Sequence, residues 1–189
     1  MLSICAFKRL FPSMEGTKNG AASILILTRV LGLYNSKSPK ELWGVYEQIF
    51  DPNARFIDPF VDARPREEAF LQFAALHRLF EQVKVQPTSS PCLTAQPETE
   101  DTTKTKTVSV ECEFEYFWKR NGFFSRRLLP EMTLVKATVS LLLDETGERV
   151  LCHTDTWHEP SIELPRTIKI INTTVSNSIF RLFGWGDKS

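Results

Sequence analysis

The chain has 189 residues with 23 basic and 23 acidic side chains, so no whole-chain charge steers it toward nucleic acid or an acidic substrate. Its 42% apolar and 11% aromatic content is enough for one domain with a sizeable core. Cys5, Cys92, Cys112 and Cys152 are scattered without a C-x-x-C spacing, which argues against a zinc cluster or dithiol motif, and no metal or cofactor is expected.

Residues 1–20 read as a flexible lead. The first thirteen, with Lys8 and Arg9 and no acid, weakly resemble an organellar transit start, set against a cytoplasmic default. Ser23, or the glycine before the alanines, opens a helix to about Tyr34 that is apolar on nearly all sides, and Arg29 inside the apolar run Ala21 to Leu33 and its shortness argue against a membrane span. Ser38 and Pro39 supply an N-cap and a first helical residue for a second helix to about Phe50. Asp51-Pro52-Asn53 predicts a turn, and Ala54 to Phe60 a strand with Phe56, Asp58 and Phe60 on one face. Asp58 before Pro59 admits two readings, a turn residue or a carboxylate in a pocket.

Pro65 to about Glu81 predicts a third helix with Glu67 and Glu68 in its first turn and a Phe70, Phe73, Ala74, Leu76, Phe80 stripe. A strand begins near Lys84 to Gln86, a segment rich in Pro, Ser and Thr follows to about Lys106, and its Pro97 to Lys106 run predicts a solvated connection. Thr107 to Trp118 alternates cleanly, with Val108, Val110, Cys112, Phe114, Tyr116 and Trp118 inward and glutamates outward. Met132 to Leu143 does the same, and Lys136 is a candidate to pair with one of those glutamates. Asn121-Gly122 and Asp144 to Gly147 predict hairpin turns, and Phe123 to Pro130 a basic and apolar loop tip.

Val150 to Pro160, V-L-C-H-T-D-T-W-H-E-P, is the most chemically loaded run. Strand alternation puts Leu151, His153, Asp155, Trp157 and Glu159 on one face and His158 on the other. Arg166 to Phe183 predicts an amphipathic helix whose apolar face is Ile168, Ile171, Val175, Ile179 and Leu182, expected to pack on its own sheet, with peripheral membrane or protein contact as the alternative. The predicted division is a 1–20 lead, a 21–163 domain and a 164–189 C-terminal helix.

The motifs I-F-D-P-N-A-R-F-I-D-P-F at 49–60 and H-T-D-T-W at 153–157, with the element order between them, resemble the SnoaL-like branch of the nuclear transport factor 2-like superfamily, plant and algal members in particular. The resemblance runs from about Pro39 to Pro160 and leaves the last helix without a family role. It implies an α+β fold in which a cone-like, curved antiparallel sheet wraps N-terminal helices around a deep apolar pocket. Members include polyketide cyclases, ketosteroid isomerases, dehydratases, epoxide hydrolases and non-catalytic binders. By position Asp58, His153 and Asp155 are the candidate catalytic groups, and Phe56, Phe60, Leu151 and Trp157 the candidate ligand contacts. The expected function is a non-catalytic module binding a small hydrophobic molecule, with a homodimer as a candidate assembly. The alternative is a general acid–base enzyme of isomerase, cyclase or dehydratase type acting on a small hydrophobic carbonyl compound, with Asp58 or Asp155 as base and His153 as its partner.

Overall fold

The computed structural model describes residues 18–35, 38–95, 105–119, 130–159 and 165–182. The predicted N-terminal lead up to residue 17, with its transit-like start, the loop at 96–104, the Asn121-Gly122 turn and basic tip up to residue 129, and the chain from residue 183 onward lie outside the described residues.

Helix α1 (Lys18–Leu33) and helix α2 (Pro39–Ile49) lead into strand β1 (Phe50–Ile57) and the short β2 (Asp62–Ala63). Helix α3 (Arg66–Leu79) follows, then β3 (Phe80–Pro87), β4 (Cys92–Ala95), β5 (Lys106–Trp118), β6 (Met132–Leu143), β7 (Val150–Glu159) and helix α4 (Arg166–Leu182). The Ser38 hydroxyl accepts the Glu41 N–H at 3.2 Å, so α2 starts where its capping residue stands. Leu27 and Val30 of α1 and Leu42 and Tyr46 of α2 are wholly buried, and the Tyr46 ring stacks on Phe50 with centroids 3.9 Å apart.

The described strands form one curved sheet in the order β2-β1-β7-β6-β5-β3, with β4 also on β5. Every pairing is antiparallel except that of β1 with β7. β3 and β4 lie end to end along the same edge of β5, β3 beside Cys112–Trp118 and β4 beside Lys106–Ser109. The Pro-, Ser- and Thr-rich segment ahead of the predicted solvated connection contains a strand: Cys92–Ala95 gains ladder bonds that composition does not reveal. The Asp51–Asn53 turn is instead the irregular start of β1, where the register slips between Phe50 and Arg55. Asp144 makes the β6–β7 hairpin as predicted, its carboxylate accepting the N–H groups of Gly147 at 2.8 Å and Glu148 at 3.0 Å. Gly147 has φ +78°, a conformation that only glycine adopts at no cost.

Inward residues Val108, Val110, Cys112 and Phe114 of β5 and Val135, Ala137, Val139, Leu141 and Leu143 of β6 are buried, as the alternation predicts. Lys136 bonds Glu159 of β7 at 2.9 Å rather than a β5 glutamate. Cys112 points into the core while Cys152 is half-buried on β7, and both are free thiols. No described helix is long and apolar enough to cross a membrane.

Candidate functional site

A cavity of about 390 Å³ opens between α3 and the inner face of the sheet. Phe56 and Asp58 reach it from the end of β1, Phe60 from the following turn, Gln72, Phe73, Leu76 and Leu79 from α3, Tyr116 and Trp118 from β5, and Asp155 and Trp157 from β7. Its walls are mostly apolar and aromatic, with Phe60 edge-on to Trp157 at 5.3 Å between centroids. The space is large enough for a small apolar molecule, and only a few polar groups interrupt its apolar lining.

Asp58 serves both readings of its sequence at once. One carboxylate oxygen accepts the backbone N–H groups of Phe60 and Val61, each at 2.7 Å, which closes the turn after β1. The same side chain lines the cavity. Burial in these apolar walls pushes its carboxyl up to about 6, partly offset by the two N–H bonds, with the nearby Asp155 charge raising it further and the Lys169 cation lowering it.

Asp155 stands on the neighbouring strand, where β7 runs parallel to the end of β1, and is the hub of a buried network. His153 Nε2 is 2.9 Å from one carboxylate oxygen, and the Tyr34 hydroxyl donates to the other. Tyr34 Oη also lies 3.3 Å from His153 Nε2. Burial, then the Asp155 charge, holds the Tyr34 phenol well above its ordinary range, so it is a neutral donor. The acceptor oxygens draw the imidazole proton onto Nε2, and His153 Nδ1 is left without a hydrogen-bond partner among the described residues. His153 has no exposed surface, is packed edge-on to Phe56 at 5.1 Å and tilted against Phe73 at 5.6 Å, and does not line the cavity.

The structure thus places Asp58, Asp155, Phe56, Phe60 and Trp157 around one cavity and sets His153 behind Asp155. Leu151 is displaced. The ladders of β7 with both neighbours slip at this residue, so that Val150 pairs with Leu143 while Cys152 pairs with Leu142. One extra residue in a strand reverses the alternation on either side of it. Val150, wholly buried, takes the inward place before the bulge, and Leu151 is half-buried away from the cavity.

Two polar groups escape the sequence reading. Tyr34 follows an apolar helix and carries no local signal that its hydroxyl will meet a strand more than a hundred residues later. Tyr116 does carry one, being an inward strand residue with a polar tip. It lines the cavity, and its hydroxyl makes no hydrogen bond among the described residues. Burial, then the charges of Asp155 and Asp58, keep that phenol neutral. Among the described residues no group of three or more His, Cys, Asp and Glu side chains is placed to hold a metal ion.

No family model matches the chain, and no curated protein does. Solved structures do. A nuclear transport factor 2-like superfamily protein from Salmonella enterica matches with TM-score 0.53 at 13% identity, over 72% of this chain and 91% of the other. A putative SnoaL-like polyketide cyclase from Shewanella putrefaciens matches with TM-score 0.52 at 11% identity, over 82% and 89%. The Kfla4162 protein from Kribbella flavida gives 0.52 at 14% identity, over 74% and 90%. The chain has the nuclear transport factor 2-like fold, an α+β architecture shared with SnoaL-like proteins.

Proposed function

We propose that the cavity binds a small hydrophobic carbonyl compound and that Asp58 moves a proton on it. The observation that carries this reading is the position of Asp58, a carboxylate of pKa about 6 on an apolar cavity wall. A base poised just below neutrality is ionised at working pH yet basic enough to take a proton from carbon. In the proposed step the Asp58 carboxylate removes a proton from the carbon next to the carbonyl. The electron pair moves onto the carbonyl oxygen, where the Tyr116 hydroxyl donates a hydrogen bond to the enolate. Return of the proton from Asp58 to a different carbon completes an isomerisation. Asp155, on the strand paired with β1, is the second carboxylate of the cavity, held by Tyr34 and His153. The SnoaL-like resemblance of the 49–60 and 153–157 motifs favours the same class of chemistry.

A second reading has its own support. Both Asp155 oxygens have protein partners, and one Asp58 oxygen holds a turn, as in a pocket built only for binding. One experiment separates the two. The purified chain is incubated in D2O with a panel of small cyclic ketones and enones, with binding followed by native mass spectrometry and hydrogen exchange next to the carbonyl by NMR. The proposal expects exchange by the wild type and a loss of roughly 10²- to 10⁴-fold in Asp58→Asn with binding retained. Binding without exchange in the wild type leaves the non-catalytic reading standing. Absence of any binding removes both.

A further inference from the structure

Helix α4 docks the wrong way round for an amphipathic helix. Lys169, Thr173 and Asn177 are only 8%, 6% and 1% exposed, and they face β2 and α3. Ile168, Ile171, Val175, Ile179 and Leu182, which the sequence predicts as the packing face, are 48%, 58%, 52%, 44% and 82% exposed. At about 100° per residue these five fall on one narrow stripe opposite the docked side. The docked side explains the inversion. Thr173 Oγ1 accepts the Asp62 N–H at 2.9 Å, Asn172 Nδ2 donates to the Phe60 carbonyl at 3.0 Å, and Asn177 Oδ1 accepts from Gln72 at 2.6 Å. Polar partners have captured the polar face, and the aliphatic face is left to water.

A continuous aliphatic stripe at a helix surface is a contact surface, and its charge decides what it contacts. Thr167, Asn172, Thr174 and Ser178 border it, none of them ionisable. The cations of α4 stand on the other half: Arg166 bonds Asp62 at 3.3 Å and Arg181 bonds Glu68. A helix that lies on an anionic lipid surface keeps cations along its rim, which this stripe lacks. An uncharged aliphatic stripe is complementary to itself, because a two-fold axis brings no like charges together. Intervals of three, four, four and three residues also let its ridges seat in the grooves of an identical helix.

We infer that a second copy of this chain covers the stripe, the two α4 helices packing across a two-fold axis. One helix stripe offers less than the roughly 800 Å² per partner of a standard interface, so the dimer is weak and forms as concentration rises. Sedimentation velocity on the full chain, from low to high micromolar, tests this with the wild type, Val175→Glu and the milder Ile171→Ser. The expected result is a wild-type mass that doubles across the range, a Val175→Glu chain that stays monomeric with unchanged circular dichroism and Tm, and an Ile171→Ser midpoint raised about tenfold, the ~1.4 kcal/mol equivalent of one lost aliphatic contact. A wild type monomeric throughout overturns the inference, as does a dimer indifferent to both substitutions. So does a wild type that remains monomeric in solution but sediments with vesicles of equal parts phosphatidylcholine and phosphatidylglycerol, with that binding lost in Val175→Glu.

Discussion

Asp58 puts two demands on one carboxylate, and they respond differently to pH. Its folded pKa of about 6 lies above the ordinary 3.8, so the folded protein holds this proton more tightly than the unfolded chain does. Its contribution to stability is therefore fully present below about pH 4 and is lost as pH rises through about 6, by at most on the order of 3 kcal/mol. Asp58→Asn keeps an oxygen for the Phe60 and Val61 N–H groups and cannot ionise. The difference in urea-unfolding free energy between variant and wild type is expected to be near zero at pH 4 and to favour the variant above pH 7. Activity should show the opposite slope, with kcat/KM of the wild type rising to a plateau above about pH 6. At Tyr34, replacement by Phe takes a donor from a buried carboxylate and should cost about 1.5–3 kcal/mol of stability, read from the same urea transitions. Asp58 and Asp155 were legible because each stands among aromatics on an alternating strand. Tyr34 was not, since a contact that depends on where a helix meets a distant strand leaves no mark in local pattern.

The inward faces of β5 and β6 follow from period-two alternation alone, the N-cap of α2 from Ser38 and Pro39, and the β6–β7 turn from Asp144 and Gly147. Beside β4 and the start of β1, two further features did not follow. The bulge at Leu151 is invisible because its signature is an extra residue relative to a partner strand, and a single strand has no register. The orientation of α4 is invisible for a related reason: its moment points correctly to two unlike faces, but which face docks depends on the polar partners waiting on β2 and α3. Thr173 is the test of that docking. Its hydroxyl accepts from Asp62 N–H and donates to the Lys169 carbonyl at 2.8 Å, in a buried position. Thr173→Val leaves the Asp62 N–H unpaired at a cost of about 1–3 kcal/mol, and hydrogen exchange should quicken in α4 and at residues 60–62 before it does in β5 and β6.

At the scale of the molecule, the sheet and its helices make the cavity, and α4 braces it from outside. Gln72 on the cavity wall is held by Asn177, and the turn carrying Asp58 is held through Phe60 and Asp62. A chain truncated before Arg166 is therefore expected to fold around the β5–β6 core yet to bind its ligand at least tenfold more weakly, measurable by titration of whichever panel compound the wild type retains. A Leu141→Ala change in that core should behave in the opposite manner, costing about 2–5 kcal/mol of stability while leaving affinity nearly unchanged below the transition.

The hydrogen bond from Gln72 to Asn177 has one more implication, because it joins a wall of the cavity to a helix whose outer side faces away from the domain. Thermodynamic linkage makes any such coupling reciprocal. If an occupied cavity raises the affinity of the aliphatic stripe for its partner by some factor, then that partner must raise ligand affinity by the same factor. The two equilibria can be read against each other, one in a sedimentation cell and one in a titration, and equal shifts would mean that a single seated state of α4 serves both.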